Sequence, residues 1–589
     1  MNYTISAFQN ILFQAKSVHI KTLAFIALCV FLGNEVAKAT TITATSITDL
    51  QTKINAANSG DIINLANGRY TNSSISISKS GITVKAATAG GVFMDGNNNI
   101  VIAGNSNTFS GFQFTTNNLS GGLPVESPTN AVTVNGNSNT ITQLNFNGYF
   151  ASKMIQIAGL NNTVSYCNFQ NKPTDTSIAK NGDGDMLQII PNATNPGNNL
   201  IRYCSFQHMP GGGGDWGNEC IRIGDGAYST MISRTVVEYC YFEDTGLGDS
   251  EAISVKSMEN TLRYNTMNNN PNAMFCFRNG DNNVAYGNFF IKSGGIRCKQ
   301  SNNVWIYNNY FEMAGTGWDS SLPGSGTRAI YFLTYAGFNN NYNVFHNTFY
   351  KCGETEIQTG MTNCSWANNA FYSTSGNIFT STGTTAGQTF VGNIYQGILG
   401  LTIPTGMTNT DPKLTLNSDN YYGLSATSPT INASGAVYPK MFFIPGIDTL
   451  LLDIQGQARP VLRAQRDVGC EEYNATGTVI NKPLALSDVG PSYLKSITTG
   501  IETTNENLNF NVQVNSATKK LVLNYSFPQI SKQKLKIYSL NGTLIKSIDI
   551  IDSENQQQSV DISYLKNGIY FVRLIAGNNS ESRKFIINQ

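Results

Sequence analysis

The chain has 589 residues, a formal net charge of +1 and only 13% charged residues, so no global electrostatic field points to a nucleic-acid partner. A site for an anionic partner must therefore be a local cluster of cations. The recurrent Gly, Asn, Ser and Thr, mixed with Val, Ile, Tyr and Phe, suit many short strands separated by tight turns and argue against a helical bundle.

Residues 1–39 have the pattern of an export signal. Lys16 and Lys21 precede an apolar run over 23–32, and Ala37–Ala39 has small residues at the positions that signal peptidase recognises. The alternative is an uncleaved anchor, for which the apolar run is short. We expect a soluble, exported protein that begins after residue 39.

One pattern recurs from about residue 105 to residue 372: an Asn-rich turn, a β-branched or apolar residue, and a closing aromatic or Met. The closing positions Phe242, Met267 and Phe289 lie 25 and 22 residues apart. A period in the low twenties without an amphipathic helix predicts a solenoid of β-coils, and the Leu-x-x-Leu-x-Leu framework of a leucine-rich repeat is absent. The sequence predicts an all-β fold, a right-handed parallel β-helix over 40–473, with asparagines stacked at its turns. A short helix at Asp49–Gln51 is expected to cap its open end.

Three cysteines, Cys167, Cys204 and Cys240, occupy the same place in three copies of this repeat. Cysteines held at one repeat position are expected to stack as small buried groups, with disulfide pairing as the alternative. A metal role has little support, since no Cys-x-x-Cys motif occurs.

The C-terminal part differs in character. Residues 474–506 are predicted to be a linker and the tail of the preceding domain, in which 488–491 can still contact the solenoid. Residues 507–589 contain strand patterns such as Gly568–Leu574 and Lys584–Asn588, which predict a small β-sandwich. This segment resembles the C-terminal sorting domains of type IX secretion; a carbohydrate-binding or spacer module is the alternative.

The densest cluster of functional groups contains Asp249, Glu251 and Lys256, followed by Arg278. The two acids are two positions apart and project from the same side of an extended strand, which suits a hard cation such as Ca²⁺. Lys256 and Arg278 are 22 positions apart, so we expect them one coil apart. The alternative is a solvated edge at which acids and bases neutralise each other.

The residues 249–266 carry an acid-x-Glu, a Lys-Ser, an Asn, an Arg and an Asn-Thr in that order. This segment, with Asn218–Gly224 upstream and Gly294–Arg297 downstream, is similar to polysaccharide lyase family 6, the alginate lyases and chondroitinase B. The resemblance extends over about residues 44–492. It departs from the family at Asp249, where Glu is usual, and at Asn279, where His is common.

The resemblance implies that Lys256 is the general base, that Arg278 is the general acid, and that Ca²⁺ is bound by Asn218, Asp249 and Glu251. The ion and Arg278 are expected to lower the pKa of Lys256 toward the range a base needs.

Three further arginines are candidate substrate-binding residues. Arg297 and Arg328 would bind carboxylates of neighbouring sugars through paired hydrogen bonds, and Arg263 would support the site from the coil that carries Lys256. For Arg297 and Arg328, the alternative role is to cap a stacked turn.

We therefore expect a secreted or cell-surface lyase, monomeric, that cleaves alginate by Ca²⁺-assisted β-elimination to give unsaturated oligosaccharides. Dermatan sulfate is the alternative substrate, and pectate fits the motifs poorly. The alternative from another class is a non-catalytic β-helix protein that binds glycans. The repeat alone would be sufficient for that function.

Overall fold

A computed structural model describes residues 39–116, 130–173, 185–209, 219–245, 251–270, 273–315, 328–333, 340–357, 360–382, 385–435, 451–473, 477–495, 509–515, 518–526, 533–539, 544–550, 557–576 and 579–587. The predicted signal segment up to residue 38 lies outside the described residues. The described chain divides into two compact units, with the boundary between Leu494 and Lys495.

The first unit is a parallel β-helix, as predicted. Each coil runs through three strands that belong to three parallel sheets. The first sheet contains Thr41–Ala44, Ile62–Leu65, Thr83–Ala86, Thr108–Ser110, Thr140–Thr142, Thr163–Ser165, Leu200–Arg202, Val236–Glu238, Thr261–Arg263, Val284–Tyr286, Trp305–Tyr307, Asn343–Phe345, Cys364–Ala367 and Gln388–Val391. The second contains Gly68–Thr71, Val92–Asp95, Phe112–Thr116, Asn145–Asn147, Asn168–Gln170, Ser205–Gln207, Tyr241–Glu243, Thr266–Asn268, Phe289–Ile291, Tyr310–Glu312, Thr348–Tyr350, Ala370–Asn377, Asn393–Ile398 and Met407–Asn409. The third contains Ser74–Ile77, Asn99–Ile102, Val132–Val134, Ile155–Ile157, Leu187–Ile189, Ile221–Gly224, Glu251–Lys256, Met274–Arg278, Ile296–Lys299 and Ile330–Leu333.

Stacking of like residues in successive coils builds the core. No single coil can bury its inner face, so identical side chains from neighbouring coils cover one another. The rings of Phe146, Phe169, Phe206 and Phe242 stack in this way, with centroids 5.3, 4.9 and 5.0 Å apart and almost parallel planes. The closing aromatic residues of the repeat are therefore core residues.

The N-terminal end is capped by the helix Ile47–Ala56, which confirms the predicted cap. The helix begins after Ser46, whose side chain accepts a hydrogen bond from the Asp49 amide, and it buries Leu50 and Ile54. Its apolar face thus covers core that the first coil would otherwise expose.

The corner between the first and second sheets explains both the cysteines and a run of asparagines. From Thr108–Ser110 onward, a residue with positive φ follows each first-sheet strand, as at Tyr166 and Tyr264, and the next residue points inward. In three consecutive coils this inward residue is Cys167, Cys204 or Cys240, each buried and without a disulfide bond, as predicted. In the later coils it is an asparagine, and the side chains of this asparagine ladder hydrogen-bond from coil to coil: Asn265, Asn288, Asn309, Asn347, Asn369 and Asn393.

A second, predicted asparagine ladder lies at the corner between the third and first sheets. Asn139 and Asn162 each accept a backbone N–H from the preceding coil, and so does Asn283 further along. The amides thereby satisfy backbone donors that a tight corner leaves without a strand partner.

The remaining strands of the first unit are the parallel pair Thr355–Ile357 with Phe379–Ser381 and the antiparallel pair Leu414–Leu416 with Tyr422–Leu424. Short 3₁₀ turns span Gly226–Tyr228, Arg463–Gln465 and Leu486–Asp488.

The described part of the predicted linker, 477–494, lies against the solenoid. The Asn481 side chain donates to the Gly287 carbonyl (3.1 Å), and the Ser492 amide donates to Gln143 Oε1 (2.7 Å). The Tyr493 hydroxyl donates to the Gln143 carbonyl at 3.2 Å. This segment, the strap, therefore bridges coils that are far apart in sequence.

The second unit contains two antiparallel sheets, in keeping with the predicted β-sandwich. One sheet contains Asn509–Asn515, Lys520–Ser526 and Gln557–Asp561; the other contains Gln533–Ser539, Leu544–Ile550, Gly568–Ala576 and Asn579–Ile587. Its core is separate and includes Leu521, Leu535 and Val572. Across both units, no helix among the described residues is long and apolar enough to cross a membrane.

Candidate functional site

Lys256, Arg278 and Arg297 lie on the outer face of the third sheet. Side chains alternate along each strand, so the neighbours of these three residues fill the core while they point outward. The register between Glu251–Lys256 and Met274–Arg278 places Lys256 and Arg278 side by side on neighbouring coils, as their spacing predicts. On the next coil, Lys299 pairs in register with Arg278, and Arg297 pairs with Cys276. Four cations thus lie on one surface.

The carboxylate of Glu251 connects these cations. Its Oε1 atom lies 3.4 Å from Arg278 Nη1 and 3.5 Å from Arg297 Nη1, and its Oε2 atom accepts a hydrogen bond of 2.5 Å from the Ser254 hydroxyl. Glu251 is fully buried, and a β-bulge follows it. Because one buried anion faces two arginines, it fixes the positions of both guanidinium groups.

Lys256 is held by a second carboxylate. Its Nζ atom donates a hydrogen bond of 3.2 Å to Glu219 Oε1. Burial alone would lower the pKa of Lys256, but the charges of Glu219 and Glu251 outweigh burial and the repulsion by Arg278, so the pKa is raised. The pKa of Lys256 was expected to be lowered, but it is raised, because two carboxylates face its ammonium group.

Beneath Lys256 lies a buried charge cluster that the sequence did not single out. Burial, and then the charge of Glu219, raise the pKa of Asp185 well above its usual range. Asp185 Oδ2 is 2.8 Å from Arg222 Nε and 3.8 Å from Lys153 Nζ. Glu219 and Arg222 belong to the Asn218–Gly224 motif, which was the one signal in the sequence for this cluster.

Two of the three predicted Ca²⁺ ligands, Asn218 and Asp249, lie outside the described residues. Within the described ranges, no group of three or more His, Cys, Asp or Glu side chains is arranged to hold a metal. Glu251 is the one predicted ligand that lies within the described ranges, and its buried carboxylate supplies oxygen donors of the kind that a hard cation such as Ca²⁺ prefers.

Arg328 lies near Arg297 but has its own acidic partner. Its Nε atom is 3.0 Å from Glu356 Oε2, and its guanidinium carbon is 4.8 Å from the centre of the Tyr331 ring. Tyr331, which pairs in register with Arg297, was not among the predicted site residues.

Arg263 lies on the first sheet and not on the third-sheet face that carries Lys256. It ends a strand of the first sheet, where its Nε atom donates to Glu238 (2.7 Å) and its Nη1 atom donates to the Tyr286 hydroxyl (3.0 Å). The chain turns a corner between Lys256 and Arg263, so the two side chains lie on different sheets. The structure therefore does not bring Arg263 together with Lys256.

Asn279, which departs from the family pattern, directly follows Arg278 with a positive φ of 59°. Its side-chain amide donates to Gln300 Oε1 at 3.1 Å. A neutral amide pair thus occupies the position next to Arg278.

The fold and this face together define a parallel β-helix protein with a cluster of cationic and acidic side chains on the outer face of its third sheet. Residues 44–321 match the Chondroitinase B family model, and residues 504–588 match the Secretion system C-terminal sorting domain. The chain is therefore similar to the Chondroitinase B family over 44–321 and carries, as predicted, a C-terminal sorting domain of type IX secretion over 504–588. Among curated proteins, no sequence matches the chain significantly.

Solved structures show the same fold. The structure of the PL6 family alginate lyase AlyGC has a TM-score of 0.59 and 18% identity, over 80% of this chain and 60% of the other. A mannuronic acid specific polysaccharide family 6 lyase from human gut microbiota has a TM-score of 0.50 and 21% identity, over 61% of this chain and 86% of the other. The chain thus spans about 60% of the length of AlyGC.

Proposed function

We propose that this protein is an exported polysaccharide lyase that cleaves alginate by β-elimination. The observation that carries the proposal is the placement of Lys256 and Arg278 side by side on one outer face, with Glu251 facing both Arg278 and Arg297. The Chondroitinase B match and the fold shared with polysaccharide lyases support the same class of reaction.

In the proposed reaction, Lys256 removes the proton at C5 of a uronate, and the bond to the O4 leaving group breaks. Lys256 must first lose its own proton, and because Glu219 and Glu251 hold its pKa up in the free protein, only the deprotonated fraction of Lys256 can act as the base. Arg278 acts at the leaving O4. Because a guanidinium rarely releases a proton, Arg278 stabilises the developing charge while water supplies the proton.

Ca²⁺ is the proposed cofactor, with Asn218, Asp249 and Glu251 as its protein ligands. When bound, it would neutralise the uronate carboxylate and stabilise the enolate-like charge that forms as the C5 proton leaves. Exhaustive chelation is expected to abolish turnover, and added Ca²⁺ is expected to raise the melting temperature of the chelated protein. Full activity after chelation would remove Ca²⁺ from the proposal.

Alginate is favoured over other acidic glycans for two reasons. Both similar structures described above are named for lyases of alginate or mannuronic acid. The low content of charged residues also suits a substrate that carries carboxylates but no sulfates. Dermatan sulfate is the second candidate, because the matching family model is that of Chondroitinase B.

The test is ultraviolet absorbance during incubation of the purified protein with alginate, since β-elimination creates a conjugated, unsaturated uronate. Absorbance is expected to rise with alginate and to stay flat with the Lys256→Ala variant. Lys85→Ala, on the first sheet in an early coil, is the control and should be as active as the wild type. A flat wild-type trace with alginate and a rising one with dermatan sulfate would reverse the substrate order. Binding without product from either glycan would support the non-catalytic alternative.

The sorting domain supports an exported location, secreted or attached to the cell surface. We further propose that the N-terminal signal is removed after residue 39 and that the mature protein is a monomer. N-terminal sequencing and light scattering test these two points.

A further inference from the structure

Four charged residues form a column on successive coils, at the entry to the third sheet. Each lies two residues before one of four strand positions that pair in register from coil to coil: Ile155, Leu187, Ile221 and Ile253. The members of this charged column are Lys153, Asp185, Glu219 and Glu251. Neighbouring coils are about 4.8 Å apart, so the two acids in the middle, Asp185 and Glu219, face each other.

Asp185 and Glu219 are in direct contact away from water. Asp185 is fully buried, Glu219 is 1% exposed, and their side chains hydrogen-bond to each other. Two buried carboxyl groups in such a contact do not both keep a charge, so one of them holds a proton. Burial, and then the charge of Glu219, raise the pKa of Asp185 well above its usual range, which assigns the proton to Asp185. Asp185 is therefore the donor and Glu219 the acceptor.

The second contact of Glu219 is with Lys256. Lys256 Nζ donates a hydrogen bond of 3.2 Å to Glu219 Oε1, and the Lys256 side chain is 12% exposed. A lysine side chain otherwise samples many rotamers, so a fixed carboxylate restricts where its amino group lies. Glu219 can restrict Lys256 only if Glu219 is itself held, and the hydrogen bond from Asp185 holds it.

Asp185 is in turn held by two cations. Its Oδ2 atom lies 2.8 Å from Arg222 Nε and 3.8 Å from Lys153 Nζ. Arg222 belongs to the coil that carries Glu219, whereas Lys153 belongs to the coil before Asp185. A line of contacts therefore leads from Arg222 through Asp185 and Glu219 to Lys256, across three coils.

We propose that Asp185 and Glu219 are positioning residues for the general base: Asp185 donates to Glu219, and Glu219 holds the Lys256 amino group where it meets the C5 proton. The proposal rests on the proposed function and deepens it by adding two residues behind the base. Both acids are too deeply buried to touch substrate, so they act through Lys256. Loss of either should lower kcat and leave KM almost unchanged, because other groups bind the glycan.

The test compares Asp185→Asn with Asp185→Leu in steady-state assays on alginate at saturating Ca²⁺. Asparagine has the shape of a protonated aspartic acid and keeps an N–H donor for Glu219, so kcat should stay within about threefold of wild type. Leucine has no donor, so kcat should fall about 10- to 100-fold with KM within about twofold. Glu219→Gln loses the charge that faces Lys256, and we expect a fall of the same size.

The asparagine variant distinguishes positioning from a merely structural charge. If Asp185 served only as a counter-charge for Arg222 and Lys153, Asp185→Asn would be as impaired as Asp185→Leu, and that result would overturn the proposal. If Asp185→Leu does not fold, Asp185→Asn is compared with Glu219→Gln instead, and equal loss of kcat in these two variants has the same meaning.

Glu219→Gln also distinguishes positioning from a purely electrostatic effect. Glu219 raises the pKa of Lys256, so removal of its charge alone would increase the deprotonated fraction of Lys256 and raise kcat. Positioning predicts the opposite change. A higher or unchanged kcat in Glu219→Gln, or a rise in KM alone, would therefore exclude the proposed role.

Glu472→Gln is the matched control. Glu472 is 5% exposed, pairs with Arg459 and accepts a hydrogen bond of 3.0 Å from the Asp467 amide. Arg459 also donates to Asn308 at the end of the first sheet, which places this buried acid away from the third-sheet face. We expect Glu472→Gln to lose stability but to keep the wild-type kcat and KM. A fall in kcat as large as that of Glu219→Gln would show that loss of any buried carboxylate slows turnover, against the proposal.

Chemical labelling of Lys256 separates this proposal from the proposed function. Reductive methylation with formaldehyde, followed by peptide mass spectrometry, reports how firmly the amino group is held and needs no glycan. In the wild type and Asp185→Asn, Lys256 should react about 3- to 10-fold more slowly than in Glu219→Gln and Asp185→Leu. This contrast would support the positioning of Lys256 even if no glycan were cleaved. Equal labelling of all four proteins would overturn the positioning, whatever their activity.

Discussion

Glu251 illustrates how a single residue organises the site, because one buried carboxylate faces both Arg278 and Arg297. Glu251→Gln keeps the shape but removes the charge. We expect kcat/KM to fall about 10- to 100-fold, as when a group that orients a ligand or a metal is lost. Stability should fall by about 1–3 kcal/mol, since two guanidinium groups lose their counter-charge. Kinetics and urea unfolding measure the two effects.

Glu238→Gln is the control for that change. Glu238 is also buried and also faces two arginines, Arg202 at 3.4 Å and Arg263 at 2.5 Å, but it lies on the first sheet. We expect a similar loss of stability without loss of turnover. A large loss of turnover in this variant would return Arg263 to the site, against its placement in the fold.

Glu471 makes stability depend on pH. Burial, aided by the nearby charge of Asp453, raises its pKa from the usual 4.5 to about 7. The folded protein therefore holds this proton up to about pH 7, whereas the unfolded chain releases it near 4.5, so stability falls as the pH rises through this window. Glu471→Gln is expected to unfold like the wild type near pH 4 and to be more stable at pH 8 by up to about 3 kcal/mol. Equal pH dependence of urea unfolding in the two proteins would contradict this assignment.

At the scale of the element, the asparagine ladder holds neighbouring coils together. Asn288 is fully buried; its Nδ2 atom donates to the Leu262 carbonyl and to Asn309, and its Oδ1 atom accepts from the Asn265 backbone and side chain, all at 2.9–3.0 Å. Asn288→Ala leaves partners unsatisfied in two neighbouring coils. We expect a loss of about 2–5 kcal/mol in the free energy of unfolding, measured with urea.

Asn147→Ala serves for comparison. Asn147 is half-buried in a second-sheet strand, and its Oδ1 atom accepts from the Asn171 side chain at 2.9 Å. Water can replace this hydrogen bond, so the free energy of unfolding should fall by no more than about 0.5 kcal/mol. Equal losses for the two variants would show that the ladder contributes no more than an exposed amide pair.

At the scale of the whole molecule, the two cores are separate and the unit boundary follows the strap. A chain that ends at Leu494 should keep the activity and melting temperature of the β-helix. A chain that ends at Tyr473 loses the strap contacts of Asn481, Ser492 and Tyr493 and should melt several degrees lower. Calorimetry and the absorbance assay compare both with the full chain. Equal melting of the two truncated proteins would show that the strap is dispensable.

The repeat in the sequence was sufficient to predict the β-helix, the buried cysteines and the separation of Lys256 from Arg278 by one coil. In a solenoid, residues one period apart stack on each other, so the distance along the chain gives the distance along the axis. The helical cap at Ile47–Ala56 was predictable for a related reason, because an exposed first coil needs a cover.

The face on which a side chain lies depends on where the chain turns its corners, and only the tertiary structure decided this. Arg263 was expected to support the site from the coil that carries Lys256, yet a corner between the two residues directs its side chain to Glu238 on another sheet. Glu219 meets Lys256 from 37 residues away, and Tyr331 meets Arg297 from the next coil, across loops of variable length. The sequence by itself determined the fold and the order of the coils, because stacking depends on the period alone. The partners of each charged group, and with them the raised pKa of Lys256, depend on which residues the coils bring face to face.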